Sequence, residues 1–120
     1  MNNILIVDDS PVFRETVRNI ITREDYTIAG ECSSADETLS WLQNHSADLL
    51  ILDILMPGSS GMDIIETIKR SHPALKIMVV TALNQKLIND ELSSMRVDAI
   101  LYKPFEPDEL IAEIKKILPN

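Results

Sequence analysis

The sequence holds one cysteine, three glycines and no surplus of positive charge. A lone Cys32 makes neither an internal disulfide nor a cysteine-based zinc site, and it reads as a small apolar residue. Neither a Walker loop nor a Gly-x-Gly-x-x-Gly pattern occurs, which removes the common glycine-built phosphate cradles. The 11 basic residues stand against 19 acids, for a net charge of −8 and a pI near 4.6. A nucleic-acid binder presents a basic face, so direct nucleic-acid contact is not expected. No apolar run approaches the ~18 residues that cross a bilayer. The opening Met1-Asn2-Asn3-Ile4-Leu5 has neither the basic region nor the cleavage site of a signal peptide. The expected setting is soluble, reducing and cytoplasmic, without membrane insertion.

What is present is an ordinary globular composition, 45% hydrophobic and 25% charged over 120 residues. That length suits a single domain, residues 1–120, with no repeat or linker. Short apolar runs stand at Ile4-Leu5-Ile6-Val7, Leu49-Leu50-Ile51-Leu52, Ile77-Met78-Val79-Val80 and Ala99-Ile100-Leu101, with a weaker one around Thr27-Ile28-Ala29. Consecutive apolar positions suit strands buried on both faces, hence a parallel sheet covered by helices.

Between the runs the period becomes 3.6. The stripes are Phe13-Val17-Ile20-Ile21, Ala35-Thr38-Leu39-Leu42, Met62-Ile65-Ile68, Leu87-Ile88-Leu92-Met95 and Leu110-Ile111-Ile114-Ile117-Leu118. Ser10 before Pro11 and Ser34 three residues before Glu37 are helix starts. Pro107-Asp108-Glu109 places acids at the positive end of the last helix. Five β-α units with right-handed crossovers give a doubly wound α/β sheet with helices on both faces.

In such sheets the active crevice lies beyond the carboxyl ends of the strands. There the sequence puts Asp8-Asp9, Asp53, Thr81-Ala82 and Lys103-Pro104. Each alone could be a cap, a turn residue or a solvated charge. Together, three carboxylates at one crevice repel each other unless a cation compensates. Magnesium prefers oxygen ligands, usually one or two carboxylates with water and phosphate. Asp9 and Asp53 are candidate direct ligands, with Asp8 holding a coordinated water. Lys103 and Thr81 opposite the acids suit phosphoryl transfer, and Asp53 is the candidate nucleophile, forming an acyl phosphate.

These residues, over the whole chain, resemble the receiver domain of two-component response regulators, and in particular its chemotaxis-type single-domain form. The ordered set carries the resemblance: Asp8-Asp9, the stretch Asp53-Ile54-Leu55-Met56-Pro57-Gly58-Ser59-Ser60-Gly61, Thr81-Ala82 and Lys103-Pro104-Phe105. It implies a flavodoxin-like three-layer sandwich with strand order 2-1-3-4-5. It also implies that Asp53 is the phosphoacceptor, that Asp8, Asp9, Asp53 and the Leu55 carbonyl hold Mg2+, and that Thr81 and Lys103 bind the phosphoryl group. A cis Lys103-Pro104 bond is implied as well. So are a histidine kinase or histidine phosphotransfer partner and a downstream protein target on the face of the fourth helix, fifth strand and fifth helix. At the family's switch-aromatic position this chain has Ile100, and Tyr102 lies on the strand face opposite Leu101. A Gly-Ala pair common before the fifth strand is replaced by Arg96-Val97.

Two other classes use part of this constellation. A haloacid-dehalogenase-type phosphatase has an Asp nucleophile, but within an Asp-x-Asp pair after its first strand, and would turn over phosphomonoesters. A flavodoxin-like flavin carrier would want a Ser/Thr/Gly-rich loop where Asp8-Asp9-Ser10-Pro11 stands, and would be coloured. Finally, Leu55 and Leu83 occupy the positions that flank the approach of a hydrolytic water in receivers. Both are apolar and cannot orient that water, so slow self-dephosphorylation is expected.

Overall fold

The computed structural model describes residues 2–56, 59–82, 90 and 94–118. Strands β1 (Asn3–Val7), β2 (Thr27–Cys32), β3 (Leu49–Asp53), β4 (Lys76–Thr81) and β5 (Ala99–Tyr102) form one parallel sheet in the order β2-β1-β3-β4-β5. Four helices are described, α1 (Pro11–Thr22), α2 (Ala35–Asn44), α3 (Gly61–Ser71) and α4 (Pro107–Ile117). Among the described residues no helix is long and apolar enough to cross a membrane. Of the fourth sequence stripe, Leu87, Ile88 and Leu92 lie outside the described residues, while Met95 packs half-buried against the core.

The runs of consecutive apolar residues divide between two cores by strand alternation. Leu5, Val7, Leu50, Leu52, Ile77 and Val79 meet Leu42 of α2 and Ile64, Ile65 and Ile68 of α3. Ile4, Ile6, Leu49, Ile51, Met78 and Val80 meet Val17, Ile20 and Ile21 of α1 and Leu110 and Ile114 of α4. The strand residues Ile4, Leu5, Ile6, Leu49, Leu50 and Leu52 are fully buried, as a central sheet covered on both sides requires.

The helix starts follow the local chemistry. Ser10 Oγ accepts the Phe13 N–H at 3.2 Å, and Pro11 opens α1. Ser34 Oγ accepts the Glu37 N–H at 3.1 Å, while the Glu37 carboxylate returns to the N–H of Ser33, one residue earlier than a standard capping box. Glu109 accepts the Glu106 N–H at 2.9 Å at the start of α4.

Two features differ from the sequence reading. Strand β2 runs on to Cys32, because Gly30, Glu31 and Cys32 pair with Leu5, Ile6 and Val7. Its signal is weak because it is an edge strand, exposed or half-buried until Cys32. The register steps past Ala29 between Ile4 and Leu5, and Gly30 then lies under Trp41 of α2. A Cβ at position 30 would stand 2.7 Å from the indole Nε1, so the close approach of α2 requires glycine there. Second, the stretch after Asp53 forms a short antiparallel ribbon, Leu55–Met56 with Ser59–Ser60, where the sequence suggests only a turn.

Candidate functional site

The carboxyl ends of β1, β3, β4 and β5 converge on one edge. Asp8 follows β1, Asp53 ends β3, Thr81 ends β4 and Lys103 follows β5. The register makes this happen: Val7 pairs with Leu52, Asp53 with Val80, and Thr81 with Tyr102. Carboxylate oxygens of Asp8, Asp9 and Asp53 lie within 4.8 Å of one another. Asp8 and Asp53 are 1% and 5% exposed, whereas Asp9 is exposed to solvent.

Among the described residues, the Lys103 ammonium reaches into this cluster. Lys103 Nζ donates to Asp8 Oδ2 at 3.1 Å and to Asp53 Oδ2 at 3.4 Å. The ammonium also lies over the Phe13 ring, 3.8 Å from its centre. Asp8 is held further by the Ser10 N–H, which donates to Oδ1 at 2.9 Å. Both oxygens of Asp8 are therefore engaged, whereas the Asp9 carboxylate faces solvent. A set of carboxylates with no nitrogen or sulfur donor fits a hard divalent ion and suits magnesium better than zinc or copper.

The remaining candidates take up supporting places. Thr81 is fully buried, and its carbonyl accepts the Lys103 N–H at 2.9 Å. Ala82 beside it is exposed. The Lys103-Pro104 peptide is cis. Ile100 packs half-buried toward the α2 and α3 side, and Tyr102 is half-buried in register with Thr81. Leu55 begins the ribbon that follows Asp53, and Leu83 lies outside the described residues.

Three residues of the site carried no signal that sequence reasoning used. Phe13 reads as one more member of an apolar helix stripe, yet its ring faces Lys103. Arg14 donates from Nη1 to the Asp8 backbone carbonyl at 2.5 Å, and its Nε lies 3.4 Å from Glu31 Oε1. Glu31 also receives Arg18 at 2.6 Å, so the edge strand, the first helix and the acid pair are tied together. The only hint for Phe13 and Arg14 was their place about one turn after Asp8-Asp9, and Glu31 on β2 had none.

The response regulator receiver domain family matches residues 4–115 of this chain. The chain belongs to that family. It is 31% identical over 114 residues to the chemotaxis protein CheY of Thermotoga maritima, covering 95% of each. It is 28% identical to the Bacillus subtilis CheY, covering 98% of each. With the transcriptional regulatory protein ResD of Bacillus subtilis it shares 31% identity over 96% of its own length but 47% of ResD, so it spans about half of that relative. The crystal structure of a CheY-like receiver domain protein from Methanospirillum hungatei superimposes with a TM-score of 0.89 at 27% identity, covering 97% of this chain and 92% of that one. The receiver is a signalling domain of two-component systems, and the sheet order implied by the sequence resemblance is the order observed.

Proposed function

We propose that residues 1–120 act as one receiver unit that takes a phosphoryl group on Asp53 from a histidine kinase or histidine phosphotransfer protein. The observation that carries this reading is the double contact of Lys103, which bridges Asp8 and Asp53 from the far side of the crevice. Asp53 ends the central strand, and its neighbour in register is the apolar Val80. One of its oxygens attacks phosphorus, the bond to the donor breaks, and an acyl phosphate forms. Lys103 then follows the transferred charge from carboxylate to phosphoryl oxygen, and the Thr81 hydroxyl donates to a second oxygen. Ala82 leaves the entrance open for the donor.

Asp9 and Asp53 would hold Mg2+ directly, with the Leu55 carbonyl, and Asp8 through a water. The ion supplies offsetting charge for the phosphoryl oxygens. The protein catalyses only its own phosphorylation and a slow dephosphorylation. Its setting is the cytoplasm, where the kinase and its phosphodonor are found. The signal passes to a protein target through a surface that includes β5 and α4, Tyr102 being the aromatic nearest Thr81 in register. The stretch that precedes β5 on that surface lies largely outside the described residues.

The experiment is incubation with acetyl phosphate and magnesium, followed by mapping of the modified residue by mass spectrometry. One phosphoryl group on Asp53 is expected, and none at that position in Asp53→Asn. Phosphate mapped to another residue of the wild type would overturn the assignment.

A further inference from the structure

We propose that Phe13 is a positioning residue for Lys103: its ring face holds the ammonium against Asp8 and Asp53. The inference rests on the receiver reading above, and it concerns how the lysine is kept in place. A lysine side chain has four rotatable bonds and loses rotamer freedom when it is fixed. Two charged hydrogen bonds, at 3.1 and 3.4 Å, hold Nζ from the carboxylate side only. The Phe13 ring supplies a further contact, with its centre 3.8 Å from Nζ. The negative face of an aromatic ring attracts a cation, most strongly where water is partly excluded. Here the lysine side chain is 24% exposed.

The ring is itself fixed by its surroundings. The Phe13 backbone N–H is the one captured by the Ser10 cap, so the start of α1 sets the position of the ring. Phe105 meets it edge to face, with centroids 6.0 Å apart and planes at 89°. Such an arrangement lets the positive edge of one ring meet the face of the other. The ring is half-buried at the margin of the core on the α1 and α4 side. Beside it lies an open cavity of about 390 Å³ lined by Phe13, Thr16, Ile20, Lys103 and Phe105 among others. The residues that fix the lysine thus come from the turn after β1, the end of β3 and α1, and the pair Phe13–Phe105 links α1 to the segment after Lys103.

The test separates a ring face from mere apolar bulk. Phe13→Leu and Phe13→Met keep the bulk and remove the face, while Phe13→Tyr keeps both. The first readout is the NMR signal of the Lys103 side-chain methylenes. A ring-current shift is expected in the wild type and in Phe13→Tyr, and its loss in the other two. The second is the rate of phosphorylation by acetyl phosphate at saturating magnesium. Loss of a contact of this kind should slow it about threefold to tenfold in Phe13→Leu and Phe13→Met, with most of the rate recovered in Phe13→Tyr. Wild-type rates in both aliphatic variants, or no ring-current shift in the wild type, overturn the positioning role alone. A wild-type protein that takes no phosphoryl group on Asp53 overturns the receiver reading and this inference with it.

Discussion

Asp8 and Lys103 stand 95 positions apart in the chain and meet at 3.1 Å, with the Asp8 side chain 1% exposed. Breaking a buried pair by removing one partner leaves an uncompensated charge, and here it would leave three carboxylates in one cluster. Lys103→Met should therefore destabilise the protein, by about 2 kcal/mol once the partial exposure of the lysine is allowed for. Saturating magnesium should narrow the gap by replacing the lost positive charge. Urea unfolding of both proteins, with and without the ion, measures this. Equal midpoints without magnesium would show that the acids do not need the lysine.

The acid pair should divide its labour unequally. The Asp8 oxygens are taken by Ser10 and Lys103, whereas Asp9 is exposed. Asp9→Ala should therefore weaken magnesium binding more than Asp8→Ala, as measured by calorimetric titration. The reverse order would mean that Asp8 turns its oxygens to the metal.

The lifetime of the acyl phosphate should be long. Leu55 and Leu83 offer no hydrogen bond to a hydrolytic water, and positioning effects of this kind are worth about ten- to a hundredfold in rate. Decay of the phosphorylated protein after donor removal should be faster by that order in Leu55→Asn combined with Leu83→Glu. An unchanged or slower decay would refute water exclusion.

Cys32 makes a prediction about alkaline pH. Burial at the end of β2 pushes its thiol up from 9.0 to about 11, only partly opposed by a hydrogen bond with Thr38. Because the folded value is the higher one, the contribution to stability is complete below the unfolded value and is lost as pH rises through the folded one. Wild type should therefore lose more stability than Cys32→Ala between about pH 9 and pH 11. Parallel stability curves for the two proteins would contradict this.

Much of this architecture is legible in the chain because its signals are local or repeated. Ile4 to Val7 and Leu49 to Leu52 are apolar at every position, and only a strand covered on both faces uses them that way. Ser10, Ser34 and Pro107 announce their helices by the bonding needs of the first turn. Asp8, Asp9, Asp53, Thr81 and Lys103 are legible because each directly follows or ends an apolar run. What escaped has no local signature. Gly30 is glycine because of Trp41, eleven positions on, and the ring of His45 stacks on that indole at 4.8 Å. Phe13 has the spacing of a core residue, and only the meeting of α1 with the segment after β5 reveals the cation above it. The register step at Ala29 likewise depends on a neighbouring strand rather than on the sequence around it.

Because β1 and β3 lie inside the sheet and β5 lies at its far edge, the bridged pair of acids is completed only when β5 and the lysine that follows it are in place. During synthesis Asp8 and Asp53 are both present before the ammonium that joins them, which follows Asp53 by 50 positions. A product cut short before Lys103 would carry its acids unjoined. The topology thus ties the charge balance of the crevice to the docking of its edge strand, β5.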